Sequence, residues 1–142
     1  MIKDAIINIK GIQGIDDETD TIEFMTDGRF GIKDGSFYIS YDESRMLDTG
    51  DEVKTHIYIK SEDSVVLQRT GTIKSKILIE NGKRNNCFYS TPHGDLTIGV
   101  YGEAIEHNLT DSGGEIKLRY TIDSDLKLIS RNEVNISVRE VN

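Results

Sequence analysis

The sequence predicts an all-β fold, an antiparallel meander closed into a barrel of about eight to ten strands. Three observations predict it. Hydrophobic residues recur at every second position, glycine, asparagine and aspartate interrupt that pattern about every ten residues, and no window is a convincing helix. Strands spaced this closely leave no room for βαβ crossovers, and closing a sheet of this many strands removes its exposed edges.

The alternation is clearest at 114–123, where one face is apolar and the other polar, as expected of a half-buried strand. The segment 53–60 repeats the pattern. In chain order the predicted strands are 2–13, 20–26, 36–43, 53–60, 63–71, 75–81, 86–91, 94–108, 114–123 and 126–140. The predicted turns include 14–17, 27–28, 34–35, 49–51, 61–63, 81–82, 93–94, 112–114 and 124–125, and the best helical candidate is a single turn around 44–47.

Length, charge and cysteine usage restrict the class of protein. A chain of 142 residues is the usual size of one domain, so residues 1–142 are predicted to form a single barrel. The lone Cys87 and the lack of an apolar leader or membrane span predict a cytoplasmic protein. A net charge of −8 disfavours nucleic acid and anionic membranes as partners. The expected state is a monomer or a homodimer.

No motif predicts catalysis, a metal or a cofactor. The histidines share no metal-ligand spacing: His56 and His107 are predicted on the polar faces of their strands, and His93 in a turn. Cys87 is predicted to point inward as a buried thiol. No catalytic residue, metal ligand or cofactor-binding residue is therefore assigned.

Several polar residues fall on the apolar side of the predicted strands. A charge inside a barrel costs several kcal/mol unless it is paired, and Arg69 and Glu43 are the expected pair. On the last strand, Ser130 and Asn132 are placed on one face with Leu126 and Leu128. The set is either a structural polar cluster that fills the barrel or the lining of a ligand pocket. The candidate ligand-binding residues are Tyr41, Glu43, Arg69, Tyr89, Thr91, Tyr120, Ser130 and Asn132.

Five blocks of sequence, in order and at suitable spacing, resemble the bacterial YwiB-like family. They are 37–43 (FYISYDE), 66–71 (VLQRTG), 89–96 (YSTPHGDL), 113–123 (GGEIKLRYTID) and 129–132 (ISRN). The resemblance implies a lipocalin-like or calycin-like barrel, in agreement with the meander. It implies no activity and no catalytic residue, because the family is one of unknown function.

Three functional hypotheses follow. The leading one is a small cytoplasmic binding module whose barrel holds a small amphipathic or anionic ligand, with Arg69 as the charged anchor. The alternative is a filled barrel that acts as an interaction or regulatory protein through its outer surface, where Tyr38, Tyr58 and Tyr101 are predicted to point. An enzyme with Glu43 as general acid–base beside Tyr41 is the third and the least favoured.

Overall fold

The structure, a computed structural model, describes residues 2–43, 52–91 and 94–141, with only the backbone of Thr91. The predicted helical turn at 44–47, the predicted turn at 49–51 and the turn residue His93 lie outside the described residues.

Ten strands form one closed antiparallel barrel in which each strand pairs with its neighbours in the chain and the first pairs with the last. This confirms the predicted meander and its closure. The strands are β1 (Ile2–Ile15), β2 (Glu18–Lys33), β3 (Ser36–Asp42), β4 (Val53–Ser61), β5 (Ser64–Gly71), β6 (Lys74–Glu80), β7 (Arg84–Thr91), β8 (Gly94–His107), β9 (Gly113–Ser124) and β10 (Lys127–Glu140). No described segment forms a helix long and apolar enough to cross a membrane.

The predicted turn at Asp27-Gly28 is wrong, because both residues lie within β2. Gly28 faces Ala5 in the ladder with β1. A β-carbon at Gly28 would collide with the Ile7 side chain and with the backbone oxygen of Ser40. The glycine therefore permits close packing of three strands rather than a reversal of the chain.

The predicted turn at Asp34-Gly35 is confirmed. Asp34 has a φ of 52° and Gly35 a φ of 80°, so both central residues are left-handed. This is the geometry of a two-residue hairpin whose twist matches that of the flanking strands. It fixes the register of β2 against β3.

The barrel interior contains an apolar core to which all ten strands contribute inward residues. The most completely buried side chains are Phe30, Ile7, Ile39, Ile57, Ile79, Ile116, Leu118, Ile136, Val53, Val65, Val100 and Thr55. At roughly 1.5–3 kcal/mol for each large apolar side chain, this core is the main source of stability.

Two bulges reverse the predicted orientation of nearby side chains. A register shift between Gly102 and Ala104 turns His107 inward, opposite Ile116, so its predicted place on the polar face is wrong. A second shift between Leu128 and Ser130 puts Leu128 on the outer face, while Ser130 remains inward. Each extra residue changes the two-residue parity on which the predictions depend.

The barrel closes unevenly between β2 and β3. Their pairing covers only Gly28–Lys33 against Ser36–Tyr41, although β2 is 16 residues long. The remaining part of β2, Glu18–Asp27, pairs with β1 alone. We call the barrel end that carries the turns at 16–17 and 72–73 the site end, because the candidate residues lie there.

Candidate functional site

Five inward side chains form a continuous row around the barrel wall near the site end. They come from five successive strands, and each is the direct ladder partner of the next. In order they are Tyr41, Thr55, Arg69, Ser75 and Tyr89. The two-residue alternation of each strand is what brings these polar groups to one interior face. The structure thus unites three candidates, Tyr41, Arg69 and Tyr89, that are far apart in sequence.

Arg69 and Glu43 form the predicted ion pair. The Arg69 Nε lies 3.7 Å from Oε2 of Glu43, and their side chains are 36% and 17% exposed. Thr55 donates a 2.7 Å hydrogen bond to Oε1 of Glu43. One carboxylate oxygen is therefore occupied by a hydroxyl and the other faces the guanidinium. This places Glu43 as a charge partner of Arg69 in the barrel wall.

Two adjacent polar atoms in this row are buried without a hydrogen-bond partner in the described chain, namely Nε of Arg69 and Oγ of Ser75. Ser75 is only 4% exposed. Buried donors are normally satisfied by protein groups, ordered water or a bound molecule. Sequence reasoning missed Ser75 as a site residue, although its parity with Ile77 and Ile79 on β6 was a usable signal.

The tyrosines around Arg69 are held as neutral phenols. Burial raises the pKa of Tyr41, and the Glu43 carboxylate raises it further. Burial likewise raises the pKa of Tyr120, which outweighs the opposing effect of Arg69. Burial lowers the pKa of Arg69, but Glu43 and the hydroxyls of Tyr120, Tyr41 and Tyr89 outweigh it, so that pKa lies above its ordinary value. The site therefore offers one cation and neutral hydroxyls.

Ser130 and Asn132 lie inward on β10, as predicted, and contact each other. Asn132 donates a 3.0 Å hydrogen bond to Ser130, and Gln13 donates one of 3.4 Å to Asn132. Asn132 stands opposite Tyr120 in the ladder. They form a second polar group that joins the Arg69 row through Tyr120. Thr91 pairs through its backbone with Gly94.

Inward-facing apolar residues remain exposed at the site end. Ile22 on β2 is 59% exposed and Leu96 on β8 is 57% exposed. Phe24 is partly buried and meets the Tyr41 ring edge-on at 6.1 Å. Apolar side chains on the lumen side that still reach solvent form an apolar rim above the polar row.

The outer wall carries a separate open depression of about 570 Å³. The residues that line it include Lys10, Lys117, Glu106, Glu115 and Asn135. These are solvated or half-buried polar side chains of both signs on the outside of the sheet. The polar row from Tyr41 to Tyr89 faces the lumen and does not line this depression.

The described residues contain no group of three or more His, Cys, Asp or Glu side chains placed to hold a metal ion. Of the tyrosines predicted to point outward, Tyr101 is 41% exposed, whereas Tyr38 and Tyr58 pack against each other. Tyr38 is 6% exposed, and its ring centroid lies 5.0 Å from that of Tyr58. Its hydroxyl oxygen lies 2.6 Å from Nδ1 of His56. Tyr38 and Tyr58 therefore contribute to cross-strand packing.

Comparison with known proteins supports the fold and the resemblance. The chain is 28% identical over 114 residues to the uncharacterized β-barrel protein YwiB of Bacillus subtilis, covering 80% of this chain and 78% of that protein. It matches the crystal structure of the YwiB protein from Bacillus subtilis with a TM-score of 0.86, at 23% identity, over 99% of this chain and 94% of that one. The family model described as a domain of unknown function, DUF1934, matches residues 7–136. The chain therefore belongs to the DUF1934 family of uncharacterised proteins.

Proposed function

We propose that this protein is a small binding module that holds a small amphipathic, anionic molecule inside its barrel. The observation that carries the proposal is that two buried polar atoms, Nε of Arg69 and Oγ of Ser75, have no hydrogen-bond partner in the described chain, although Nε lies 3.7 Å from the Glu43 carboxylate. They are ladder partners on one face, so a single acceptor group can reach both. An oxyanion suits a guanidinium and a hydroxyl.

The ligand is expected to carry one negative charge rather than two. Glu43 already offsets part of the charge on Arg69. A dianion would leave excess negative charge in a partly desolvated interior, which is costly. The hydroxyls of Tyr41, Tyr89 and Tyr120 would complete the polar end of the pocket as hydrogen-bond donors.

The apolar part of the ligand would lie toward the site end. The exposed lumen residues Ile22 and Leu96 supply an apolar rim, and Phe24 continues it inward. The short pairing of β2 with β3 leaves the wall open beside Tyr41. A cytoplasmic location belongs to the same proposal, because the buried free thiol of Cys87 suits a reducing compartment.

Dodecanoate and dodecanol test the proposal, since they differ only in the charged headgroup. Dodecanoate is expected to raise the melting temperature by mass action, and dodecanol to do so far less. Arg69→Ala should abolish the rise, and Ser75→Ala should weaken dodecanoate binding roughly five- to tenfold through loss of one hydrogen bond.

Arg131→Ala is the matched control, because Arg131 is exposed on the outer face of β10. It should leave the dodecanoate response unchanged. Equal responses to the acid and the alcohol, or to the Arg69 and Arg131 variants, would refute the proposal. A crystal structure in which a water bridges Arg69 and Ser75 in the presence of dodecanoate would favour a structural polar cluster instead.

A further inference from the structure

In the described part of the chain, one segment of β2 pairs with a neighbouring strand on one side only. Glu18–Asp27 pairs with β1 along its whole length, whereas pairing with β3 begins only at Gly28. Within the described ranges, the β2–β3 register bonds only the Asp27 C=O of this segment to β3, through the Asp42 N–H, and no turn or loop backbone hydrogen bond involves the segment. A strand with a single neighbour presents a row of backbone donors and acceptors on its other side.

The β1–β2 and β2–β3 hairpins both indicate which backbone groups of β2 point away from β1. Ile15 and Glu18 flank a two-residue turn, so they exchange both hydrogen bonds, and even-numbered residues of β2 then bond to β1. Lys33 and Ser36 flank the next two-residue turn, so odd-numbered residues bond toward β3. The N–H and C=O groups that point away from β1 therefore belong to Thr19, Thr21, Glu23, Met25 and Asp27.

The side chains along this edge specify the kind of strand that would pair there. The edge carries Glu18, Asp20, Glu23 and Asp27, and residues 11–28 include no lysine or arginine. A large apolar side chain is exposed on each face, with Ile22 at 59% and Met25 at 66%. A second copy of the same edge would put carboxylates against carboxylates, which is unfavourable in a ladder.

We propose that the Glu18–Asp27 edge binds an extended, lysine- or arginine-rich segment of a partner protein by β-strand addition. Backbone hydrogen bonds would provide the affinity, and alternate side chains the specificity. Basic side chains on the outer face would meet Glu23 and Asp27, and the alternating apolar side chains would cover Ile22 on the other face. The edge shares Ile22 with the apolar rim of the ligand site, but strand addition does not require a ligand in the lumen.

The probe is a synthetic peptide in which lysine alternates with valine over the length of the edge. Binding to the full chain is measured by titration, and amide hydrogen exchange is followed by NMR. The peptide should protect the amides of Thr19, Thr21, Glu23, Met25 and Asp27, which strand addition alone would cover. The even-numbered amides of this segment already bond to β1 and should change little.

Thr21→Pro removes one free N–H without removing a bond to β1, because proline is tolerated on the open side of an edge strand. It should weaken peptide binding roughly tenfold. Thr21→Val keeps the N–H and is the matched control with unchanged affinity. Glu23→Lys should also weaken binding, through charge.

The results separate strand addition from simple charge attraction. If Glu23→Lys weakens binding while Thr21→Pro does not, or if no odd-numbered amide gains protection, the peptide is attracted only by charge and the proposal is wrong. It is also wrong if a glutamate–valine peptide binds equally well. If the protein self-associates without peptide and the same odd-numbered amides become protected, the partner is a second copy of the chain. The inferred basic segment is then wrong.

Discussion

Arg69 stands directly opposite Ser75 in the ladder between β5 and β6, and the two residues bring a buried guanidinium nitrogen and a buried hydroxyl to the same part of the lumen. The same guanidinium nitrogen lies 3.7 Å from Oε2 of Glu43. This relationship explains why a charged residue lies among apolar strands. It also leads to a first prediction about the ion pair.

Glu43→Gln should destabilise the fold by about 1–2 kcal/mol, because it leaves Arg69 without its counter-charge. The value is below that of a fully buried pair since the Arg69 side chain is 36% exposed and partly screened by solvent. Urea unfolding measures it. Glu62→Gln, at an exposed turn, should change stability by less than about 0.5 kcal/mol. Equal effects of the two substitutions would mean that Glu43 does not hold Arg69.

Gly28→Ala should cost about 1–3 kcal/mol, since its β-carbon must displace Ile7 and the β3 backbone at Ser40. Gly11→Ala is the control, because a β-carbon at Gly11 meets no atom within 4 Å. Thermal and urea unfolding of both variants provide the comparison. The packing explanation fails if Gly28→Ala is as stable as Gly11→Ala.

Acid should remove the contribution of the Arg84–Asp123 pair. Arg84 donates hydrogen bonds of 2.9 and 2.7 Å to the two oxygens of Asp123. These bonds hold the pKa of Asp123 below its ordinary value of 3.8, despite the opposing effect of burial. A carboxyl with a lowered folded-state pKa stabilises the fold above its unfolded pKa, and this stability is lost as pH falls through the folded value.

The measurement is the melting temperature of the wild type and Asp123→Asn from pH 6 down to pH 3. The difference between them should be constant above about pH 4.5 and should shrink below about pH 4. A difference that does not depend on pH would show that the charge of Asp123 contributes nothing.

Stability should also fall between pH 7 and pH 5.5 because of His56. Its Nδ1 lies 2.6 Å from the Tyr38 hydroxyl, which donates when that nitrogen is unprotonated. Burial lowers the pKa of His56, and Lys54 and Lys33 lower it further. The unfolded chain then binds the proton more readily than the folded one below pH 6.5, so acidification favours unfolding.

Unfolding free energies of wild type and His56→Gln across this pH range test the effect, and the variant should show a flatter profile. Tyr38→Phe should cost about 0.5–1.5 kcal/mol at pH 7.5 by removing the hydrogen bond. Identical pH profiles for wild type and His56→Gln would contradict the assignment.

Leu126→Asn should stabilise the protein, by about 1 kcal/mol at most. Leu126 has a φ of 69° in the turn between β9 and β10, a conformation that costs most L-residues about 1–2 kcal/mol, and its side chain is 78% exposed. Asparagine tolerates this conformation better. Leu128→Asn, on the outer face of β10, lacks the positive φ and should bring no gain. A loss of stability at Leu126 would rule out relief of strain.

The ten-strand meander and the inward position of Tyr41, Arg69, Tyr89 and Tyr120 could be predicted from the sequence. The reason is that successive side chains of a strand point to opposite faces, so a period of two identifies strand and face together. The turn at Asp34-Gly35 could also be predicted from the sequence, because aspartate and glycine accept the left-handed conformations that a two-residue hairpin requires.

Only the tertiary structure determined the features that depend on strand register and on the unequal lengths of neighbouring strands. The bulges near Ala104 and Ser130 reversed His107 and Leu128, since an unpaired residue shifts the parity of everything beyond it. Gly28 reads locally as a turn residue, and only the approach of Ile7 and Ser40 explains it as a packing residue. In the described chain, Glu18–Asp27 pairs on one side only because β2 has 16 residues and the neighbouring β3 has seven. The point at which each strand ends is determined by the pairing between strands and not by the composition of either strand.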